Sequence, residues 1–221
     1  MSTPSSNIAS LRRRLPDGVA LVAVSKFHPA EAIAEAYAGG QRVFGESRAQ
    51  ELSVKASQLP DDIEWHFIGH LQTNKVRTVV EHAAVIQSID SLRLLRAVDA
   101  EARKAGRTVD VLLQVHVAAE ETKFGFTPQE LQEVAAEAAA MTGARVTGVM
   151  GMASNTDDTA RIAADFRAIR ACFDSLAAGA FAGRESFRTV SMGMSHDWPI
   201  AVECGSNMVR IGSDIFGERV Y

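Results

Sequence analysis

Short apolar runs alternate with longer amphipathic segments along nearly the whole chain. The apolar runs are rich in valine, isoleucine and phenylalanine, which favours buried β-strands. They predict strands at residues 19–24, 42–44, 65–68, 85–88, 109–115, 145–150, 187–191 and 208–210. The longer segments predict helices at residues 8–15, 30–37, 48–58, 73–82, 92–105, 128–141, 159–177 and 199–203. This repeated strand–helix order is typical of a parallel sheet.

Capping residues support several of these helices. Ser91 precedes the helix predicted at residue 92 and is a favoured N-cap. Thr127 is followed by a proline and, three residues on, by Glu130, which is the sequence pattern of a capping box. Asp157 or Asp158 is placed to cap the helix predicted at 159–177. These signals locate helix starts independently of the hydrophobic periodicity.

The length and the element order favour one α/β domain that closes into a (β/α)8 barrel. A chain of 221 residues fits a single domain of this kind. An open doubly wound sheet is the alternative, but the glycine-rich fingerprint that usually follows its first strand is missing. We expect one barrel domain over residues 8–221 and a disordered, polar N-terminus over residues 1–7.

Composition excludes several classes of function. The net charge of −4 argues against a nucleic-acid or anionic-membrane surface, and Arg12 to Arg14 are expected on a solvated helix face. No apolar stretch approaches the roughly 20 residues of a membrane span, and no signal peptide is evident. Cys172 and Cys204 show no metal spacing and are too few for a disulfide framework. We therefore expect a cytoplasmic protein.

The first predicted strand ends at Lys26. The chain has five lysines against 18 arginines, so lysine is not its usual surface cation. Active sites of barrels lie at the carboxyl ends of the strands, although a solvated lysine at a strand end is an equally simple interpretation. The segments after the seventh and eighth strands, residues 191–195 and 210–213, are rich in glycine and serine, which suit a phosphate. A lysine opposite a phosphate site indicates a phosphorylated carbonyl compound held as a Schiff base, with pyridoxal phosphate the leading candidate.

Two other constellations carry weaker signals. Ser195, His196 and Asp197 are the three residue types of a hydrolase triad, but neighbouring residues do not form the relay that a triad requires. His66 and His70 lie four residues apart, yet no local carboxylate completes a zinc site, so packing or cofactor contact is the preferred interpretation.

Several motifs resemble those of the pyridoxal phosphate homeostasis protein family. They lie at residues 22–26, 44–46, 66–75, 123–125, 191–195 and 208–217, in the same order as in the family, and span about residues 19 to 217. The His-Phe-Ile-Gly-His-Leu-Gln-Thr-Asn-Lys block and the Ser-Met-Gly-Met-Ser block are together highly specific. The family is similar to the N-terminal barrel of alanine racemase, so the resemblance implies that fold and pyridoxal phosphate as the cofactor.

The resemblance also implies roles for individual residues. Lys26 is the expected Schiff-base lysine, and Arg210 is expected near the pyridine nitrogen. The phosphate end is expected to hold Ser191, Ser195, Gly212 and Ser213. We also include Ser47, His66 and Met152 among the candidate cofactor-binding residues. Ser47 departs from the family, which usually has asparagine there; serine keeps a hydroxyl donor but reaches less far.

We expect a carrier that stores and delivers pyridoxal phosphate without turnover. A small amino-acid racemase or decarboxylase is the alternative, and a cofactor-free Schiff-base aldolase is a weaker one. The sequence ends at Tyr221, soon after the eighth strand, whereas alanine racemase continues into a second domain that supplies a catalytic tyrosine. An arginine beside the pyridine nitrogen also disfavours its protonation. His66 or His116 could supply a second base. We expect a monomer or loose dimer that contacts apo-enzymes transiently.

Overall fold

The computed structural model describes residues 3–117 and 124–217. Parallel strands close into a barrel in the order β1 to β8, which confirms the predicted (β/α)8 fold. The strands are β1 Ala20–Val24, β2 Val43–Glu46, β3 Glu64–Phe67, β4 Val85–Ile89, β5 Val109–Val115, β6 Ala144–Gly151, β7 Thr189–Ser191 and β8 Met208–Ile211.

One helix precedes the first strand and the others follow the strands, and together they cover the outside of the barrel. They are α1 Pro4–Arg14, α2 Ala30–Ala38, α3 Ala49–Gln58, α4 Val76–His82, α5 Leu92–Lys104, α6 Pro128–Ala140, α7 Thr159–Ala178, α8 Trp198–Glu203 and α9 Ser213–Phe216. A 3-10 turn at Thr73–Lys75 precedes α4, so the helix predicted at 73–82 is split in two. The short α9 was not predicted.

The expected disorder of residues 1–7 is wrong for Pro4 to Asn7, which form the first turns of α1. The Thr3 hydroxyl accepts from the Ser6 N–H and completes a capping box, while a proline occupies the first turn. The Asn7 side chain donates to the carbonyl of Ile215 at 2.9 Å. The polar composition concealed a helix start because capping residues are themselves polar.

Other sequence signals are confirmed with small shifts. The Ser91 hydroxyl accepts from Leu94 N–H, Thr127 and Glu130 form the capping box, and Asp158 caps α7. Strand β7 begins two residues later than predicted, since Phe187 turns into an aromatic stack outside the barrel, with its ring centroid 4.3 Å from that of Phe181.

Two different sets of side chains fill the structure. Every second residue of a strand faces the helices, and the apolar ones form the large core between the barrel and the surrounding helices. Ala23 of β1 and Val209 of the neighbouring β8 are examples. The other face of each strand points into the barrel, where buried Val22 and Leu112 lie with buried polar residues. Gly45 makes room there, because a Cβ on it would come within 3.0 Å of Val22. The polar interior is the unusual feature of this barrel.

Within the described residues, no helix is both long enough and apolar enough to cross a membrane.

Candidate functional site

A cavity of about 600 Å³ opens at the carboxyl ends of the strands. Most candidate residues from the sequence line it: Lys26, Ser47, Met152, Ser195, Arg210, Gly212 and Ser213. They come from the turns after β1 and β2, the segment after β6, the Ser-Met-Gly-Met-Ser loop, β8 and the start of α9. The closed barrel therefore brings residues that are remote in sequence to one mouth.

The turn after β1 fixes the position of Lys26. Ser25 is fully buried and its N–H donates to the carbonyl of Gly45 at 3.0 Å. Phe27, the next residue along, has a left-handed backbone with φ 68°, which is strained for a side chain of this size. Its N–H donates to the carboxylate of Glu51 at 2.9 Å. Lys26 is thus held between a buried strand end and an anchored turn.

A buried ionic network lies directly beneath this turn. The Lys55 ammonium donates to Glu46 at 2.8 Å, to Glu51 at 3.1 Å and to the carbonyl of Ser25 at 3.0 Å. The Ser25 hydroxyl donates to the same Glu46 oxygen at 2.6 Å. Burial raises the pKa of Glu46 more than Lys55 lowers it. Burial also raises the pKa of Glu51, but the Phe27 N–H and Lys55 outweigh it, and that pKa is lowered overall.

Arg210 reaches the mouth from the middle of β8. Its guanidinium donates to the carbonyl of Ser191 at 2.8 Å, to the Ser191 hydroxyl at 2.7 Å and to the carbonyl of Gly151 at 2.9 Å. Within the described chain these bonds leave two of the five guanidinium N–H groups for a bound molecule. Burial lowers the pKa of Arg210 to about 10, so the side chain is a cation at neutral pH.

Asp197 holds the Ser-Met-Gly-Met-Ser loop and faces Arg210. It is 2% exposed, and its carboxylate accepts from the Met194 N–H at 2.6 Å. Its charge partly offsets the effect of burial on the pKa of Arg210. The loop itself needs Gly193, which has φ 99° and whose added Cβ would lie 2.7 Å from that of Ala201. Sequence reasoning considered Asp197 only as a triad member and missed this role.

Two hydroxyls and a glycine meet at one side of the cavity. The Ser213 and Ser195 oxygens lie 3.0 Å apart, one at the start of α9 and one in the loop after β7. Between them and β1, a Cβ on Gly212 would approach the Val24 carbonyl to 3.2 Å. This side of the mouth combines hydroxyl donors with a close backbone, the arrangement expected for an anion such as phosphate.

Ser47 lies where β2 and β3 end side by side. Gly69 passes so close to it that a Cβ on Gly69 would lie 2.2 Å from the Ser47 carbonyl oxygen. The Gly69 carbonyl accepts from the Ser88 hydroxyl at 2.5 Å. Glycine at 69 is therefore required for the Ser47 backbone to lie at the mouth.

His66 and Ser191 are corrections to the predicted site, because neither lines the cavity at the mouth. His66 is fully buried inside the barrel and lines a separate cavity at the amino ends of the strands. Ser191 is also fully buried, and its side chain contacts Arg210 and Gln87. His66 precedes the last residue of β3, and the Ser191 side chain, at the end of β7, is directed toward Gln87 and Arg210, so both lie in the barrel interior.

Two histidines that were not among the predicted cofactor-binding residues line the mouth. His28 and His196 border the same cavity as Lys26, and the His28 ring stacks on Phe216 with centroids 5.0 Å apart. His28 lies two residues after Lys26 and His196 directly follows Ser195, but no local pattern marks either histidine as a cofactor contact. Only the tertiary structure places them beside the lysine.

The triad-like residues and the histidine pair noted in the sequence do not form other active sites. Ser195 pairs with Ser213, and the closest His196–Asp197 approach is 3.4 Å, so no serine–histidine–aspartate relay forms. His70 pairs with Asp90 at 2.9 Å and stacks on Phe124, away from His66. Across residues 3–117 and 124–217, no three metal-ligating side chains cluster in a way that could hold an ion.

Residues 3–220 match the family model described as alanine racemase, N-terminal domain. The pyridoxal phosphate homeostasis protein of Aquifex aeolicus is 38% identical over 205 residues, which are 91% of this chain and 87% of that protein. This chain belongs to the pyridoxal phosphate homeostasis protein family. The family member from Escherichia coli K12 is also 38% identical, over 94% of this chain and 89% of its own.

Solved structures agree with this family assignment. PipY of Synechococcus elongatus, in a structure with PLP bound, is 39% identical to this chain and superposes on it with a TM-score of 0.90. The match covers 97% of this chain and 100% of the PipY chain. Alanine racemase from E. faecalis superposes with a TM-score of 0.73 at 19% identity, and the match covers 57% of the racemase chain. The racemase likeness shows the shared barrel fold alone.

Proposed function

We propose that this protein binds pyridoxal phosphate (PLP) at the mouth of the barrel, holds it as a Schiff base on Lys26, and stores and delivers it without turnover. The observation that carries the proposal is the convergence of Lys26, Arg210 and the Ser195–Ser213 pair on one cavity. Relatives named pyridoxal phosphate homeostasis protein and the PLP-bound PipY structure support it.

The residues present fit this cofactor. A cavity of about 600 Å³ is within the usual range for small-molecule sites. Gly212 allows close backbone approach on the side where Ser195 and Ser213 offer hydroxyls, which suits the phosphate. Arg210, which also lines the cavity, has N–H groups that could donate to the ring nitrogen. Ser47, Met152 and the two histidines complete the candidate contacts.

PLP would supply an aldehyde carbon that acts as an electrophile. Lys26 would hold the cofactor: its neutral amine would add to that carbon, and the carbonyl oxygen would be lost as water. The turn anchored by Glu51 aims the lysine into the cavity. Release to another amine would be a second substitution, in which the incoming amine adds to the same carbon and the Lys26 amine leaves with the transferred proton, so no further catalytic group is needed.

Arg210 favours storage over amino-acid chemistry. A guanidinium beside the pyridine nitrogen disfavours a second positive charge there, so the ring stays unprotonated and withdraws electrons weakly. The buried guanidinium is fixed by three hydrogen bonds to Ser191 and Gly151, so it does not swing away. We further propose a cytoplasmic monomer or loose dimer that meets apo-enzymes transiently.

Borohydride trapping tests the assignment of Lys26. Purified protein mixed with PLP should absorb in the visible range typical of a PLP–lysine Schiff base, and reduction should fix the label on the peptide that contains Lys26. Lys26→Ala should lose both signals. Lys104→Ala is the matched control, since Lys104 is exposed on α5. A labelled peptide elsewhere, with Lys26→Ala unchanged, would refute the assignment.

Hydrogen exchange separates storage from catalysis. The PLP-loaded protein is incubated with single amino acids in deuterated water, and α-hydrogen exchange is compared with free PLP. We expect no acceleration. A rate well above free PLP that disappears in Lys26→Ala would establish an enzyme, with His28 or His196 as the first candidates for its second base.

A further inference from the structure

A chain of hydrogen bonds runs through the barrel interior from one end to the other. Arg210 donates to the Ser191 hydroxyl at 2.7 Å, and that hydroxyl donates to the Gln87 carbonyl oxygen at 2.6 Å. The Gln87 amide nitrogen lies 2.7 Å from Nδ1 of His66, and Nε2 of His66 lies 3.0 Å from a carboxylate oxygen of Glu64. The chain links four strands, β8, β7, β4 and β3.

Each hydrogen in this chain has one possible direction. Arginine is only a donor, so the Ser191 hydroxyl accepts from it and gives its single hydrogen to Gln87. The Gln87 amide then presents its hydrogens to His66 and to the Met208 sulfur, 3.3 Å away. Nδ1 of His66 must accept, which places the histidine proton on Nε2, where the Glu64 carboxylate accepts it. The Gln87 amide at Nδ1 and the Glu64 carboxylate at Nε2 therefore favour the same tautomer.

The middle of the chain is sealed from water. Ser191, Gln87 and His66 are each 1% exposed or less. Glu64 is half exposed and borders a cavity of about 430 Å³ at the amino ends of the strands, together with the charged groups Asp110, Arg145, Glu185 and Arg188. A buried polar group that loses its partner is costly, so the members of the chain constrain one another.

We propose that Gln87 and His66 are positioning residues for Arg210 in the cofactor site, acting through the Ser191 hydroxyl. This inference rests on the proposed function. Gln87 holds the Ser191 hydrogen away from Arg210, so the hydroxyl lone pair faces the guanidinium and fixes it against the mouth. His66, held as the Nε2–H tautomer, fixes the orientation of the Gln87 amide in turn. Neither residue touches the cofactor.

The tautomer of His66 is the first test and needs no cofactor. Long-range ¹H–¹⁵N NMR of the cofactor-free protein should show Nε2 protonated and Nδ1 unprotonated. In Gln87→Met, Nδ1 loses its donor and only the half-exposed Glu64 still favours the Nε2–H form, so the Nδ1–H tautomer should become detectable. Gln114→Met is the matched control, because Gln114 is a buried glutamine of β5 that donates to Phe124 instead. A wild-type protein with the proton on Nδ1 would overturn the proposed direction.

Cofactor binding is the second test. Gln87→Met should bind PLP about two- to tenfold more weakly, the range expected for one hydrogen bond, and should shift the absorbance band of the bound cofactor. Ser191→Ala should do the same. The double variant should be no worse than Ser191→Ala, because both act through one hydroxyl. Additive losses, or wild-type affinity and spectrum in Gln87→Met, would refute the positioning role.

The two tests separate this inference from the proposed function. If wild-type protein fails to bind PLP, the proposed function is wrong whatever the tautomer of His66. If wild-type binds PLP but the two variants behave as the Gln114→Met control does, only the positioning role is wrong. Ser191→Ala keeps the binding test available if Gln87→Met does not fold, since it removes a single oxygen.

Discussion

The backbone N–H of Phe27 donates to the carboxylate of Glu51 across the turn that follows Lys26, at 2.9 Å. Within the described residues, Phe27 is the one non-glycine residue with a positive φ, 68°. The turn that aims the proposed Schiff-base lysine is therefore held in a strained shape by a side chain from α3.

Removing this anchor should affect binding more than folding. In Glu51→Ala the strained turn can relax, and we expect PLP affinity to fall about tenfold, since a hydrogen bond to a carboxylate is lost. Fluorescence titration measures it. Glu35→Ala, on the exposed face of α2, should bind as wild type does. Unchanged affinity in Glu51→Ala would show that the turn holds its shape without Glu51.

The Ser195–Ser213 pair should distinguish PLP from pyridoxal. Removing both hydroxyls, in Ser195→Ala/Ser213→Ala, should weaken PLP binding by roughly tenfold or more through lost bonds to a charged phosphate. Pyridoxal, which lacks the phosphate, should bind almost as it does to wild type. The exposed Ser57→Ala is the control. An equal loss for both compounds would place the phosphate elsewhere in the cavity.

The buried Lys55 should be needed chiefly to balance Glu46. Their charges lie 2.8 Å apart and both side chains are almost fully buried. Lys55→Met leaves a buried carboxylate without its cation, which should destabilise the protein by roughly 3–5 kcal/mol. The Glu46→Gln/Lys55→Met double variant should recover part of this loss in denaturant unfolding.

The stability lost in Lys55→Met should depend on pH in a definite direction. The pKa of Glu46 is already raised by burial, and losing Lys55 raises it further. A raised pKa in the folded state means that stability is fully present below the unfolded value of about 4.3 and is lost as pH rises through the folded value. The deficit of Lys55→Met relative to wild type should therefore shrink in acid. A deficit that grows in acid would contradict this account.

The stabilisation provided by Asp99 should depend on pH in the opposite direction. One of its oxygens accepts the N–H groups of Thr142, Gly143 and Ala144, at 3.0, 2.7 and 3.1 Å. Burial raises the pKa of Asp99, but these bonds and Arg103 outweigh it and lower the pKa overall. Its stabilisation is therefore present above the unfolded pKa of about 3.9 and is lost as pH falls through the lowered value.

Asp99→Asn should cost about 2 kcal/mol at neutral pH, because a neutral amide is a weaker acceptor for these N–H groups. The cost should diminish as the pH is lowered toward the folded pKa, where wild-type Asp99 also becomes neutral. Denaturant unfolding at several pH values measures both. A cost that stays constant in acid would mean that the charge of Asp99 contributes nothing.

The sequence by itself determined the barrel and the lysine at its mouth. Strand and helix periods are local properties, and so are the caps at Ser91 and Thr127, which the structure confirms. Lys26 was found because it ends the first apolar run. The N-terminal helix was predicted from residue 8, but its first turn was missed because a capping box and a disordered tail have similar polar composition, although Thr3 and Pro4 carried the signal.

The tertiary structure alone decided which polar side chains share a layer. His66 was included among the candidate cofactor-binding residues, yet its strand places it in the buried barrel interior, bonded to Gln87 from the next strand. His28 and His196 lie at the mouth, although no local pattern marks them as cofactor contacts. The tilt and stagger of barrel strands set the depth of each interior side chain, and they are properties of closure rather than of any single segment.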